Sequence, residues 1–350
     1  MTLRFESCTV RSLTEGAMGQ FDQGHLHVDT EGLARALTAR DARVFEVAVN
    51  LVCPGDATRI VCCKDVIQPR LKVRGDDPGE GVVRLLENLA VVSCGPIVGF
   101  QEGIIDMSGP GAAYTPFSEL FLIVLEIEVT EGLASHEHEA ALREAGVNAA
   151  RLIAEHLEGY QADSEEDLLW DERPVSPTLP RFAYVDLMLS QGLLHDTWVL
   201  GENAVSGLPR IFDPRVVLDD SVISGNCVSA CDKNTTYHHQ NNPVIRELLR
   251  GHGRRWNFVG VVATYCPTRL AEKVRSAEAA VALARGLAAD GAIISKEGFG
   301  IPDADLMMLM RGFAREGIEV VAITDEFAGR DGGSQSLADT TPDANAVIST

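Results

Sequence analysis

Phe258-Val259-Gly260-Val261-Val262-Ala263-Thr264, then the alanine-rich stretch Leu270 to Leu287, then Ala292-Ile293-Ile294-Ser295, decide the fold class of this chain. The rhythm repeats once more, with Ala304 to Glu316 followed by Glu319-Val320-Val321-Ala322-Ile323-Thr324. Short β-branched runs alternating with longer helical stretches predict a β-α-β-α-β unit, whose strands lie parallel and are covered on both faces. Ligands of such sheets sit at the carboxyl ends of the strands. That rule singles out Thr264-Tyr265-Cys266, Ser295-Lys296-Glu297-Gly298 and Thr324-Asp325-Glu326.

Upstream, the pattern is different. Up to about residue 130 the chain reads mainly as strands and loops. Val44 to Val52 and Leu120 to Val129 alternate and are β-branched, and turns are marked by Pro54, Gly55, Pro69, Gly75, Pro78, Gly79, Gly95, Pro96 and Gly109-Pro110-Gly111. A helix is predicted from an N-cap at Ser135 to near Gly159, with Glu137 and Glu139 in its first turn. Residues 161–180, acidic and proline-bearing, read as an exposed loop or linker. Short strands return from Phe182 to Val222. The expected class is α/β: a mixed-strand N-terminal half and a Rossmann-like three-layer C-terminal half built on the parallel unit. After Arg330 follows a small-residue and polar tail.

Composition narrows the partners. The 350 residues carry 30 Lys+Arg against 51 Asp+Glu, a formal charge of −21, and 45% are hydrophobic. That balance supports a sizeable core and disfavours nucleic acid or anionic membrane, which are gripped by clustered cations. The Leu120–Val129 run is too short to span a bilayer and contains Glu126 and Glu128. Met1 to Glu6 has no apolar leader, so a cytoplasmic location is expected. Of the eight cysteines, Cys8, Cys53, Cys62, Cys63, Cys94 and Cys266 read as small reduced hydrophobes. His25/His27 and His136/His138 read as surface residues. Gly298-Phe299-Gly300 fails as a dinucleotide fingerprint, since Asp303 stands where the third glycine belongs.

One stretch is unlike the rest: Ser224-Gly225-Asn226-Cys227-Val228-Ser229-Ala230-Cys231-Asp232-Lys233-Asn234-Thr235-Thr236-Tyr237-His238-His239-Gln240-Asn241-Asn242-Pro243. It is almost wholly polar and concentrates two thiols, a lysine and two histidines. Three roles are open to it. It is a plain polar loop, or a zinc staple built from Cys227, Cys231 and His238/His239, or a reactive-cysteine site in which Lys233 and a histidine lower a thiol pKa. In the third case Gly225-Asn226-Cys227 allows a specific chemistry. The thiol can attack the preceding carbonyl, converting amide to thioester. β-Elimination would leave dehydroalanine, which hydrolyses to a pyruvoyl group at a new N-terminus. The spacing allows this sequence of events without requiring it.

The run from Ser224 to Ile245 resembles the processing-site region of the component B proprotein of glycine, sarcosine and betaine reductases. Asp106-Met107-Ser108-Gly109-Pro110-Gly111-Ala112-Ala113-Tyr114-Thr115-Pro116-Phe117-Ser118 and Ser295-Lys296-Glu297-Gly298-Phe299-Gly300 are similar to further blocks of that family, and D-proline reductase has a more distant relative. The resemblance implies self-cleavage between Asn226 and Cys227. The products would be an upstream subunit 1–226 and a downstream subunit 227–330 carrying the reactive loop and the Rossmann-like domain, followed by the tail 331–350. It implies that Cys227 becomes a pyruvoyl cofactor, whose carbonyl condenses with a small amine or amino-acid substrate to a Schiff base. A thiol- or selenol-bearing reductase subunit then attacks the α-carbon, with electrons from a thioredoxin-type donor. Betaine has no N–H and cannot form an imine, so the shared carbonyl does not fix the substrate.

Site residues follow from this resemblance together with the residue chemistry and the parallel-sheet rule. Cys227 is the carbonyl precursor and Asn226 the upstream terminus, with Cys231 an alternative processing residue. Lys233, His238 and His239 are candidates for proton transfer. Lys296 and Glu297, at a strand's carboxyl end, and Tyr114, in the first similar block, are candidates for substrate binding. No metal is expected in this case, and an oligomer is. The rivals are a non-catalytic zinc-stapled binding protein and a homologue that never cleaves. The chain also looks shorter than typical members of the family.

Overall fold

A computed structural model describes residues 2–17, 20–96, 103–157, 159–191, 195–226, 233–298, 300–324 and 337–349. The chain divides into two compact units interleaved along the sequence. Unit 1 comprises Met1–Leu168 and Ile223–Gln240, and unit 2 comprises Leu169–Val222 and Asn241–Thr350. The predicted processing bond falls inside the returning segment of unit 1.

Unit 1 contains strands β1 (Thr2–Thr9), β2 (Ser12–Glu15), β3 (Gln20–Asp22), β4 (His25–Val28), β5 (Val44–Val52), β6 (Arg59–Ile67), β7 (Arg70–Arg74), β8 (Gly81–Glu87), β9 (Leu89–Cys94), β10 (Gly103–Asp106), β11 (Phe121–Val129) and β12 (Ser164–Leu169). Its longer helices are α1 (Thr30–Arg40) and α2 (Ser135–Glu155). One sheet runs β12-β1-β8-β7, a second β10-β6-β9-β11-β5, and a small third β2-β4-β3. In the five-stranded sheet β11 lies parallel to β9 and antiparallel to β5. Alternate residues go to opposite faces. Val91, Ile123 and Leu125 join Leu33, Leu37, Leu142 and Ile153 of α1 and α2 in one core. Ala90, Val92, Leu122 and Val124 join Ile105, Met107 and Phe117 in another. Burial on both faces explains why the Leu120–Val129 run is so continuously apolar.

Three expectations for this half are corrected. α1 interrupts the region read as strands and loops. Asp29 caps it by accepting the Gly32 amide at 2.7 Å, and Leu33 and Leu37 supply its buried stripe. Ser135 is the first residue of α2 rather than its cap, and the Glu137 carboxylate accepts the Ala134 amide at 3.0 Å. The acidic stretch taken for a loop contains the edge strand β12. Its Glu165 and Asp167 pair with Arg4 of β1 at 2.8 and 2.7 Å. Acidic side chains suit such an edge, because they oppose further strand addition.

Unit 2 contains β13 (Arg181–Met188), β14 (His195–Val199), β15 (Glu202–Asn203), α3 (Ala204–Gly207), β16 (Arg210–Phe212) and α4 (Pro214–Leu218). Between them and the rest of unit 2 the chain runs through β17 (Val222–Asn226) and α5 (Thr236–Gln240). It continues with α6 (Pro243–Gly251), β18 (Asn257–Tyr265), α7 (Leu270–Gly286), β19 (Gly291–Lys296), α8 (Ile301–Arg315), β20 (Glu319–Thr324) and β21 (Val347–Ser349). The predicted β-α-β-α-β unit is therefore present with nearly the expected bounds. The sheet order is β16-β18-β13-β19-β20-β21, parallel throughout except for the antiparallel edge strand β16.

Two features of this sheet were not legible in its own stretch of sequence. β13, from the upstream half, is inserted between β18 and β19, and β21 in the tail extends the far edge. Strand order reverses between β13 and β19, which is the topological switch point of an open parallel sheet. Ala183, Val185, Leu187, Val262, Ile294, Leu306, Met310 and Phe313 form the core with α7 and α8. Tyr184, Met188, Val261 and Ala263 are equally buried in between.

Candidate functional site

The polar segment belongs to unit 1, and its two arms are tied together. β17 brings Ser224 and Gly225, ends at Asn226, and is met by residues 233–236. The Ser224 hydroxyl donates to the Asn234 carbonyl at 2.7 Å, and the Ser224 amide donates to the Thr236 hydroxyl at 2.9 Å. The Lys233 ammonium, buried, lies 3.5 Å from the Gly225 carbonyl, one residue before Asn226. Cys227 and Cys231 lie outside the described residues, so neither the cleavage bond nor the zinc alternative is described here.

Beyond the loop, α5 is anchored on β6. The carboxylate of Asp65 accepts the Thr236 amide at 2.8 Å on Oδ1 and the Thr236 hydroxyl at 2.6 Å on Oδ2. Oδ1 also accepts the Val66 amide at 2.8 Å. At the other end of α5, Gln240 pairs reciprocally with the backbone of Gln68. The Gln68 amide donates to Gln240 Oε1 at 2.8 Å, and Gln240 Nε2 donates to the Gln68 carbonyl at 3.1 Å. Arg70 adds a bond to the Gln240 carbonyl at 3.1 Å. These groups are all buried, where a satisfied polar network is stiff and a broken one costly.

The candidate bases are now placed. His238 is half-buried, and its Nδ1 accepts the Thr235 amide at 3.1 Å, which leaves the ring proton of the neutral form on Nε2. Its ring lies 5.2 Å from that of Phe117, and Tyr237 meets Phe117 edge-on at 5.6 Å. The structure thus brings the Asp106–Ser118 block together with the polar segment. His239 is buried within α5. Tyr114, in the same block, is 88% exposed.

Burial pushes the Asp65 carboxyl up to about 7, while the Thr236 and Val66 bonds and the charge of Lys233 pull it down. Sequence reasoning missed Asp65, Gln68, Arg70 and Thr236. The one available signal was a charged pair, Lys64-Asp65, in an otherwise apolar strand.

In unit 2, Lys296 and Glu297 stand at the switch point between β13 and β19. The Glu297 carboxylate accepts the Leu189 amide at 2.7 Å, and its own amide donates to the Leu187 carbonyl at 3.1 Å. The Lys296 ammonium is buried against Asp303 at 2.9 Å and also donates to the Gly298 carbonyl. Nearby, Tyr184 and Ser295 share a hydrogen bond of 2.5 Å, and Asn242 donates to the Tyr184 oxygen at 3.0 Å. Burial raises the Tyr184 pKa, which keeps it a neutral phenol.

The remaining cysteines behave as packing residues. Cys8, Cys63, Cys94 and Cys266 are buried, and burial pushes the Cys8 thiol up to about 11 and that of Cys94 up to about 12. No grouping of three or more His, Cys, Asp or Glu could hold a metal among the described residues. Among those residues, no helix is long and apolar enough to cross a membrane.

Fold and site together define a class: a two-unit α/β protein in which one unit holds a polar, chemistry-bearing segment on a buried carboxylate and the other is built on a mostly parallel sheet with a topological switch point. Its relatives give the class a family. All of residues 1–350 match the family described as glycine/sarcosine/betaine reductase component B subunits. The chain is 43% identical over 366 residues to the glycine reductase complex component B subunits alpha and beta of Acetoanaerobium sticklandii, across 99% of this chain and 84% of that protein. It is 41% identical over 367 residues to the sarcosine reductase complex component B subunit alpha of Peptoclostridium acidaminophilum, across 100% and 85% respectively. The D-proline reductase proprotein PrdA of Acetoanaerobium sticklandii is 22% identical over 313 residues, across 80% of this chain and 48% of that protein. No solved structure matches it. The chain belongs to the glycine/sarcosine/betaine reductase component B family.

Proposed function

We propose that this chain is the substrate-binding subunit of a reductase complex and that it cleaves itself between Asn226 and Cys227 to generate a pyruvoyl group. Family membership carries the coarser part, a component of an oxidoreductase assembly. The finer part is carried by one observation: the two arms leading to that bond are fixed to each other and to Asp65. A pyruvoyl carbonyl supplies an electrophile for small amines and a sink for electrons. The fit of the chain to such a group lies in these two arms, which would keep residues 222–226 of the upstream product and 233–236 of the downstream one tied together after the bond breaks.

In this account Cys227 supplies the carbonyl and Lys233 steadies the Gly225 carbonyl, while His238, with a proton on Nε2, moves protons. Cys231 is the alternative processing thiol, and His239 supports the helix from within. Lys296 and Glu297, at the switch point of the unit 2 sheet, are candidates for binding a small amine or amino acid. Tyr114 is exposed for substrate or for the partner surface. The thiol- or selenol-bearing partner bonds to the α-carbon as the amine leaves, and the resulting carboxymethyl thio- or selenoether is later cleaved reductively, with two electrons from a thioredoxin-type donor. The setting is the cytoplasm, in an oligomeric complex.

Intact mass of the purified chain beside Cys227→Ala tests this. The expected result is two fragments meeting at Asn226/Cys227, with the downstream one blocked and lighter than its unmodified sequence. A single full-length mass matching the behaviour of the variant, with stoichiometric zinc bound, would replace this account with the zinc-stapled one.

A further inference from the structure

Asp65 lies 171 residues before Thr236 and in a different strand, yet both of its carboxylate oxygens serve the polar segment. With Asp65 ionised, the polarity of the chain of bonds is fixed. The Thr236 hydroxyl has one proton, and it goes to Asp65 Oδ2 at 2.6 Å. Its lone pair is thereby turned toward the Ser224 amide, which donates to it at 2.9 Å. Ser224 in turn donates its hydroxyl proton to the Asn234 carbonyl at 2.7 Å. One carboxylate therefore orients one hydroxyl, and that hydroxyl ties the arm entering the cleavage bond to the arm leaving it. An amide at position 65 would reverse the order. Its NH2 group would donate to the Thr236 oxygen already receiving the Ser224 amide, and the Thr236 proton would lose its acceptor.

We propose that Asp65 is a positioning residue for self-cleavage, acting through the Thr236 hydroxyl on Ser224 to hold residues 222–226 and 233–236 at the spacing the reaction needs. This rests on the cleavage at Asn226/Cys227 proposed above. In the first step of that reaction the Cys227 sulfur bonds to the Asn226 carbonyl carbon and the carbon–nitrogen bond breaks. The thiol proton ends on the freed amine, so no oxidant or reductant enters. Such an intramolecular attack depends on holding sulfur and carbonyl in a near-attack geometry, and small displacements cost it dearly. The ties at Ser224 and Thr236 fix the distance between the arm that enters the bond and the arm that leaves it. Lys233, reaching the Gly225 carbonyl from the downstream arm, adds a second tie in the same direction.

The test compares full-length wild type, Asp65→Asn, Thr236→Val and Thr236→Ser. The fraction cleaved is read by intact mass at fixed times after induction, and thermal midpoints are measured in the uncleaved Cys227→Ala background. Thr236→Val keeps the shape of the side chain and removes the hydroxyl, whereas Thr236→Ser keeps the hydroxyl. Expected is a slowing of about tenfold or more in Asp65→Asn and Thr236→Val. Thr236→Ser should cleave within about threefold of wild type, at a thermal midpoint no higher than that of Thr236→Val. Should Asp65→Asn fail to fold, the Thr236 pair decides alone. Cleavage at the wild-type rate in Thr236→Val, or equal slowing in Thr236→Val and Thr236→Ser that follows their loss of stability, would overturn the positioning role and leave self-cleavage standing. An uncleaved wild type would remove both.

Discussion

A carboxylate buried as Asp65 is couples folding to pH in a direction that can be worked out. An exposed aspartate titrates near 3.9. In the folded chain burial raises this one to about 7, despite the bonds from Thr236 and the charge of Lys233. The folded state thus holds a proton that the unfolded state releases first. Its contribution to stability is complete below about pH 3.9 and is lost as pH rises through 7. Urea midpoints in the Cys227→Ala background should therefore fall between pH 4 and 7 by more in the chain bearing Asp65 than in the same chain with Asp65→Asn. The general repulsion of a −21 chain is common to both and cancels in the comparison. Parallel curves would show that Asp65 does not titrate in this range. Beyond the charged pair Lys64-Asp65, no pattern in the sequence singles this residue out, because an aspartate between Lys64 and Val66 looks like an outward-facing strand position. What sets it apart is a partner 171 residues away, and neither periodicity nor spacing reports such a pairing.

At the scale of elements, α5 is only five residues long and could not persist on propensity. It is held at both ends by β6 and the residues just after it, at Asp65 and Gln68. The Gln68–Gln240 pair reproduces with side-chain amides what a neighbouring strand would offer the backbone. Gln240→Ala removes both bonds and leaves a buried amide and carbonyl of Gln68 to be satisfied otherwise. A loss of about 1–3 kcal/mol per stranded group is expected, measured by urea unfolding in the Cys227→Ala background. A loss below about 0.5 kcal/mol would mean that water or a rearranged Gln68 replaces the pair.

The elements most legible in the sequence were those decided locally. β18, α7, β19, α8 and β20 announce themselves through β-branched runs, alanine-rich stretches and glycine punctuation, and the reactive segment through its density of thiols and bases. The elements that were missed owe their identity to distant partners. β12 is a strand because β1 offers Arg4 to its acids. β21 is one because β20 presents a free edge. α1 carried a legible cap and two leucines at helical spacing, which the surrounding strand pattern obscured.

For the whole molecule, the placement of β13 has consequences for what the proposed cleavage could release. Cutting at 226/227 assigns β13 to the upstream chain and its two neighbours, β18 and β19, to the downstream one. β13 pairs with β18 from Arg181 to Met188 and with β19 from Phe182 to Leu187. Ala183, Val185, Leu187 and Met188 are no more than 1% exposed there. In unit 1 the relation is mirrored, since the downstream residues Thr236 and Gln240 are bound to the upstream strand that carries Asp65 and to Gln68 just beyond it. Separating the two products would open a parallel sheet at its centre and strip a buried polar network. They are therefore expected to co-elute as one particle in native buffer and to part only in denaturant.

The same geometry orders events in time. A fragment 1–226 made alone would present β13 with both edges unpaired and its apolar residues Ala183, Val185 and Leu187 uncovered, and 227–350 alone would lack the strand that joins β18 to β19. Such edges are templates for aggregation. Each fragment expressed separately should be insoluble, while the full chain yields soluble, cleaved protein, because folding must precede the break. Recovery of a soluble, folded 227–350 fragment would contradict this order and would mean that β18 and β19 can close a sheet without β13.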